Sequence, residues 1–316
     1  MPTYLVTGGA GFIGSHIVDE LVHRGERVRV LDNFSTGRPA NLAQVREAIE
    51  LIEGDVRDLA TVRAAMRGAD YVLHQAALAS VPRSVADPLA SNEVNVTGTL
   101  NVLLAAREVG VRRVVYASSS SVYGDSPQLP KREDMPTQPL SPYAVSKLAG
   151  EAYCLAFHQV YGLPVVALRY FNVFGPRQDP TSQYAAVIPR FVTAALRGEP
   201  LTVYGDGHQS RDFTYVSNVV EANLLACESD AAVGQVLNAS CGERYSLLDL
   251  IARLQELLNG APLQVRHSDP APGDVRHSQA DISRARQLLG YAPRVDFASG
   301  LRRTVEWYQQ HDQPVF

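Results

Sequence analysis

The chain has 316 residues, 46% hydrophobic and 20% charged, with a formal net charge of −4. That length supports one large core, or two lobes sharing a long boundary. With no basic block and no apolar run of transmembrane length, the composition argues against nucleic-acid partners, membrane partners and a spanning helix.

The amino terminus runs directly into a strand pattern, without a secretory leader pattern. In chain order, short β-branched apolar runs occur at Tyr4–Thr7, Val28–Leu31, Leu51–Ile52, Tyr71–His74, Val114–Ser118 and Val165–Tyr170. Helix-period segments such as Ile13–Arg24 and Val94–Glu108 lie between them. Near-continuous apolar strands alternating with helices predict an α/β fold, a doubly wound parallel sheet covered on both faces. Its crossovers are expected to be right-handed, with the ligand crevice at the carboxyl ends of the strands.

From Phe174 the texture changes at the Pro/Gly-rich break FGPRQDP. A helix is expected at 186–196, a strand at Leu201–Tyr204, then the turn GDGHQS. Phe213–Val216 and Gln235–Ala239, with a helix over Asn218–Cys227 between them, read as returns to the first lobe. Helices near Leu247–Leu258 and Ile282–Leu289 read as part of a smaller carboxyl-terminal α/β lobe. The resulting division assigns 1–172 and 212–241 to one domain, and 173–211 and 242–316 to the other. The three cysteines, Cys154, Cys227 and Cys241, lack metal-type spacing and read as reduced, buried thiols of a cytoplasmic protein without a metal site.

Chemistry begins at TGGAGFIG, residues 7–14. Gly8-x-x-Gly11-x-x-Gly14 leaves a strand and opens a helix, which suits a tight turn, close approach of a pyrophosphate and a helix amino terminus that faces it. Alone the pattern is only a tight turn. Asp32, 18 residues beyond Gly14 at the end of RVRVLD, strengthens it. An acid there accepts from ribose hydroxyls and repels a 2′-phosphate, which favours NAD over NADP although Arg38 follows. Asp55, in Gly54-Asp55-Val56, either meets adenine or caps the next helix.

Tyr143 and Lys147, in SPYAVSK, stand four apart and share a helix face. A tyrosine with its ordinary pKa of ~10 is a poor base at neutral pH, and a nearby cation favours its phenolate. The serine run of YASSSSVYG leaves the fifth strand pattern, where a hydroxyl can share the same substrate oxygen. Each feature alone has a plain structural explanation, a solvated helix face or a loop. Their order behind a dinucleotide turn brings them to one sheet edge.

These motifs, with HQAA at His74–Ala77, NVTGTLN at Asn95–Asn101, LRYFNVFGPRQ, SRDFTYV and PGDVRHSQAD, span nearly the whole chain. The chain resembles extended short-chain dehydrogenase/reductases, and among them the UDP-hexose 4-epimerases. The nearest pattern is the subgroup acting on UDP-N-acetylhexosamines, on the strength of ALxSVPRS, YAAVIP and GDVRHS. The resemblance implies a Rossmann domain binding NAD, a UDP-sugar substrate and a homodimer formed through the helices near Val94–Glu108 and Ala144–Tyr161.

It further implies that Tyr143 is the catalytic base, that Lys147 tunes it, and that Ser119 shares the sugar hydroxyl, with Ser118 and Ser120 as runners-up. The cofactor residues it implies are Gly8, Gly11, Phe12, Ile13 and Gly14 at the pyrophosphate, and Asp32, Asn33, Ser35 and Gly37 at the ribose. Asp55 and Val56 then flank adenine, Leu73, Ala76, Ala77 and Asn95 line the path, and Tyr170 meets the nicotinamide. On the substrate side it implies Ser80, Ser119, Ser120, Asn172, Val187, Tyr204, Arg211, Asp274 and Ser278. The plainer interpretation of Arg211 is an ion pair with Asp212 or Asp206.

One departure concerns a second diphosphate arginine, whose place is Ala271; either Arg276 substitutes or Arg211 acts alone. At the position that gates sugar size, Ser278 is small and admits an N-acetyl group without excluding plain hexoses. The expected reaction is inversion at C4 through a transient 4-keto sugar, for UDP-glucose/UDP-galactose and the N-acetylhexosamine pair. UDP-glucuronate 4-epimerisation is the alternative. A dehydratase would need Asp-Glu where Ser120-Ser121 stand. A net sugar dehydrogenase would accumulate NADH, and a non-enzymatic dinucleotide sensor would not need the Tyr–Lys pair.

Overall fold

The computed structural model describes residues 1–180, 186–260, 262–269 and 275–311. The chain opens with β1 (Thr3–Thr7), α1 (Phe12–His23), β2 (Arg27–Asp32), β3 (Ile49–Glu53), α2 (Leu59–Met66) and β4 (Tyr71–His74). Next come α3 (Val81–Ala86), α4 (Pro88–Asn92) and a π-helical turn over Glu93–Thr97 that runs into α5 (Gly98–Val109). The first lobe continues with β5 (Arg113–Ser119), α6 (Pro142–Tyr161) and β6 (Val165–Tyr170).

Shorter elements follow: β7 (Val173–Phe174), α7 (Val187–Leu196), β8 (Leu201–Tyr204), β9 (Ser210–Arg211) and β10 (Thr214–Tyr215). Then come α8 (Val216–Glu228), β11 (Gln235–Ala239), β12 (Tyr245–Ser246), α9 (Leu247–Leu257), β13 (Val265–Ser268), α10 (Ser283–Leu289) and α11 (Phe297–His311).

Seven strands form one parallel sheet in the order β11-β6-β5-β4-β1-β2-β3. Every residue of β6 is buried, as both-face coverage requires. One face packs against Ile17 and Leu21 of α1 and Val219 and Leu224 of α8. The other packs against Val62 of α2, Leu103 of α5, and Cys154 and Phe157 of α6. The strand order reverses direction at β1, which has β2 on one side and β4 on the other, and such a switch point opens a crevice at the strands' carboxyl ends.

A third apolar cluster joins Phe174, Phe191, Phe213, Tyr215, Leu250 and Phe297. Here the reading of Phe213–Val216 as a return to the first lobe is corrected. Thr214–Tyr215 pairs in parallel with Val173–Phe174 as a separate ribbon, because Phe213 and Tyr215 bury their rings among those of the third cluster. Gln235–Ala239 does return, as the edge strand beside β6. The 282–289 helix is corrected as well: Ala285 and Leu289 pack into the first cluster, beside β11, rather than into the smaller lobe. Among the described residues, no helix is long and apolar enough to cross a membrane.

Candidate active site

A cleft of ≈ 1380 Å³ lies along the carboxyl ends of the strands, with a wall that runs from Gly8 and Asp32 past Ser119 and Tyr143 to Arg211 and Ser278. The turn after β1 makes its floor. Gly8 has φ +69°, and a Cβ there would stand 2.6 Å from the Ala76 amide nitrogen. A Cβ on Gly14 would stand 2.1 Å from the Gly8 carbonyl oxygen, so the turn closes on itself as only glycine permits. No side chain caps α1, and its first-turn N–H groups, which lack helical acceptors, open on the cleft at Phe12 and Ile13.

The loops around this turn are tied by buried side chains. Asp32 accepts from the backbone N–H groups of Ala10 and Phe34, both at 2.8 Å. Burial raises its pKa against those bonds. His74 bridges Thr7 at 2.7 Å and Thr99 at 2.9 Å. Burial holds its pKa down at about 3, so the ring is neutral at physiological pH.

The helix that carries the tyrosine and lysine starts where the sequence dictates. Ser141 caps it by accepting from the Ala144 N–H at 3.2 Å, Pro142 follows at the first helical position, and Gly162 ends it with φ 67°. Tyr143 is thereby set in the first turn and half-buried on the cleft wall that Ser119 also lines. Ser119 also accepts from Ser121, hydroxyl to hydroxyl at 2.9 Å. Lys147, one helical turn on and buried, donates to the Ala117 carbonyl at 2.7 Å, with its nitrogen 6.0 Å from the Tyr143 ring centre.

Burial lowers the Lys147 pKa to about 8, against the pull of Glu151 and Cys154. In the protein alone burial raises the Tyr143 pKa, opposed by the neighbouring Ser119 hydroxyl. The lowering expected from the lysine cation together with a positive nicotinamide ring is not present in the protein alone.

Residues 4–240 match the NAD dependent epimerase/dehydratase family. The chain belongs to that family. It is 41% identical to a UDP-glucose 4-epimerase of Mycolicibacterium smegmatis over 98% of this chain and 99% of that one. It is 34% identical to a UDP-N-acetyl-alpha-D-glucosaminuronate decarboxylase of Bacillus cytotoxicus, with 97% of each chain covered.

Among solved structures it is similar to a UDP-N-acetylglucosamine 4-epimerase of Methanobrevibacter ruminantium, in complex with UDP-N-acetylmuramic acid. That pair shares 44% identity and a TM-score of 0.94, over 98% of this chain and 99% of the other. A UDP-glucuronic acid 4-epimerase of Bacillus cereus, in complex with UDP-glucuronic acid and NAD, shares 33% identity and a TM-score of 0.90, over 98% and 99%.

As a member of this NAD-dependent family the chain has a cradle that fits the cofactor: a glycine turn without room for a Cβ, uncapped helix N–H groups and an acid at the end of β2. Asn33, Ser35, Gly37, Val56, Ala76, Ala77 and Tyr170 line the same wall. Three residues expected on the cofactor side, Leu73, Asn95 and Asp55, lie off the cleft wall. Leu73 is fully buried in the sheet core and does not line the cleft. Asn95 spends its amide on Leu78 and on Ser146, and so ties α6 to the loop after β4 instead of facing the cofactor side.

Asp55 is also off the wall: it is held by Arg57 at 2.8 Å and accepts from Asn33 at 2.7 Å, contacts that pull its carboxyl to about 2. Nor does it cap the following helix, because Asp58 does. Arg38, on the same wall, pairs with Asp179 at 2.8 Å.

Of the residues expected on the substrate side, Ser80, Ser119, Ser120, Asn172, Arg211 and Ser278 line the cleft. Asn172 holds the left-handed φ of 23°, which asparagine tolerates better than most residues. Arg211 donates to the carbonyls of Ser210 and Arg276 at 3.0 and 3.1 Å. The anticipated acids are committed elsewhere: Asp206 pairs with Arg276, and Asp212 accepts backbone N–H groups of Cys241, Gly242 and Ala280. Arg276 is therefore turned outward and does not line the cleft.

Val187 and Tyr204, also expected at the substrate, lie off the wall. Ala186, not Val187, reaches the wall, and Tyr204 lies outside it beneath Arg190. Asp274 and Ala271 lie outside the described residues.

Two features went unread in the sequence. Glu151, two turns beyond Tyr143 on the same helix, forms a buried bidentate pair with Arg169 at 2.8 and 2.9 Å and accepts from Ser118. That network joins α6 to β5 beside Ser119 and to β6 beside Tyr170. Lys131 also lines the cleft. A charged residue on a helix face or in a loop ordinarily reads as solvated, so only the i, i+4, i+8 spacing of Tyr143, Lys147 and Glu151 offered a signal.

Proposed function

We propose that the protein is an NAD-dependent UDP-sugar 4-epimerase that acts on UDP-glucose/UDP-galactose and on the UDP-N-acetylhexosamine pair. The observation that carries this reading is the meeting of Ser119, Tyr143 and Lys147 on one cleft wall, with Lys147 buried one helical turn from Tyr143 and fixed to the Ala117 carbonyl. Tyr143 takes the proton of the sugar C4 hydroxyl on its phenolic oxygen and later returns one to the same position. Ser119 holds that hydroxyl in line. Ser118 is the weaker candidate, since its hydroxyl is committed to Glu151.

Gly8, Gly11, Phe12, Ile13 and Gly14 would hold the dinucleotide phosphates, and Asp32 its ribose side. When bound, NAD accepts the C4 hydride and gives it back. Lys147 adds positive charge near Tyr143 and favours the phenolate. Arg211 would anchor the UDP diphosphate, leaving the sugar free to turn over between the two transfers.

Ser278 supports the inclusion of N-acetylhexosamines, because it puts a small side chain on the sugar wall. Exposed apolar residues on the outer face of α6, among them Val160 at 69% and Tyr161 at 51%, support a homodimer through that helix. The deciding experiment supplies UDP-N-acetylglucosamine and UDP-glucose separately to protein purified without added NAD, and assays both C4 epimers. Formation of both epimers is expected; formation of neither, with cofactor bound, sinks the proposal.

A further inference from the structure

Lys131 lies in the irregular stretch between β5 and α6 and lines the same cleft as Ser119, Tyr143 and Ser278. It is only 2% exposed. Its backbone is fixed from several sides. The N–H donates to the Gln279 carbonyl at 2.7 Å, and its own carbonyl accepts from the Asp281 N–H at 2.8 Å and from the Asn238 amide at 2.9 Å. These bonds run alongside residues 279–281, so the root of the side chain is anchored opposite Ala280, two residues along the chain from Ser278.

The ammonium group itself is less well provided for. It has three donors, and one goes to the Ser126 carbonyl. Among the described residues, no carboxylate lies within 4.0 Å of it. Burial depresses its pKa, and Asp125, the charged neighbour, pulls the other way. A buried ammonium with a single acceptor is costly. A cation so placed, on a preorganised backbone at a cleft wall, is suited to an oxygen that arrives with a ligand.

We propose that Lys131 is a specificity-determining residue that donates to a carbonyl or carboxylate oxygen carried by the sugar, away from the reacting C4. The placement of the sugar rests on the 4-epimerase reading. In such a reaction the ring must present both faces to one hydride position, so substituents on its two sides exchange places in the pocket. An acetamido oxygen on one side and a carboxylate on the other can therefore each meet the same ammonium. A plain hexose offers only hydroxyls, which are weaker acceptors for a charged donor.

The test uses Lys131→Met, which keeps the buried stem and removes the donors, with Lys131→Gln beside it to retain one polar donor. Holoenzyme is titrated calorimetrically with UDP, UDP-glucose, UDP-N-acetylglucosamine and UDP-glucuronate. Lys131→Met is expected to leave UDP and UDP-glucose affinity and the thermal midpoint unchanged. It is expected to weaken UDP-N-acetylglucosamine or UDP-glucuronate by about tenfold or more, with Lys131→Gln intermediate. Which of the two weakens identifies the oxygen. Equal weakening of all four ligands, with a lowered midpoint, would mean that Lys131 only closes its loop, and unchanged affinity for all four would also overturn the proposal. Because binding is read without turnover, failure here stays distinct from failure of the unsubstituted protein to form a C4 epimer.

Discussion

The two ends of the cleft are built in different ways. At the cofactor end the wall is the sheet itself: strand termini, a glycine turn, and buried groups such as Asp32 and His74 that spend their hydrogen bonds on neighbouring backbone and hydroxyls. At the sugar end the wall is assembled from two-residue ribbons and loops, with Lys131, Arg211 and Ser278 reaching in from them. The first end is rigid and tolerates no added atoms at Gly14, whereas the second is a set of replaceable side chains on fixed backbone. That division suits a reaction in which the dinucleotide stays put and the sugar turns.

Substitutions on the chemistry between the two ends break the comparison most severely. Tyr143→Phe is expected to lower kcat by roughly 10²–10⁴-fold while UDP-sugar affinity is retained, checked by turnover and calorimetry side by side. Full activity would remove Tyr143 as the base. Next in size is Glu151→Ala, which strands the buried Arg169 guanidinium and is expected to cost about 3–5 kcal/mol of stability, read from denaturant unfolding. A change within the scatter of surface substitutions would mean that the network does not fasten α6 to the sheet.

His74 probes the rigid end through pH. Its folded pKa of about 3 lies below the unfolded value of 6.5, so its contribution is present above the unfolded value and fades as pH falls toward the folded one. Between pH 7 and pH 5 this group alone is expected to cost about 2 kcal/mol. His74→Asn should lose less stability over that interval than the unsubstituted protein, and parallel curves would contradict this. The smallest effect belongs to the replaceable end. Ser278→Tyr is expected to lower kcat/KM for UDP-N-acetylglucosamine by about tenfold more than for UDP-glucose. Equal losses on both would end the case for a size gate.

What the sequence made legible follows the same division. The strands of the main sheet, the glycine turn, Asp32 and the Tyr143–Lys147 pair were readable because period, spacing and turn chemistry are local properties. Lys131 was not, since its stretch has no period and its place on the wall depends on pairing with residues near 280. Glu151 and Arg169 were missed because charge suggests solvent until a partner across the sheet is known. Asn95 has the right neighbourhood and the wrong direction, and an amide's orientation is set only by what surrounds it. Phe213–Val216 carries the apolar signature of a sheet strand, and only the aromatic rings around Phe174 and Phe297 decide that it belongs elsewhere.

The late return of β11 to the sheet, with α8 beneath it and α10 beside it, governs how the gene can be cut. A fragment ending near residue 200 would retain the whole glycine turn and the Tyr–Lys pair. It would still leave β6 as an unpaired edge and strip Val219, Leu224, Leu237 and Leu289 from the core that supports Ile17 and Leu168. Half-length pieces are therefore poor starting points for chimeras with other sugar specificities. Exchanges confined to the loops around 124–141 and 275–281 keep the sheet closed and alter only what meets the sugar.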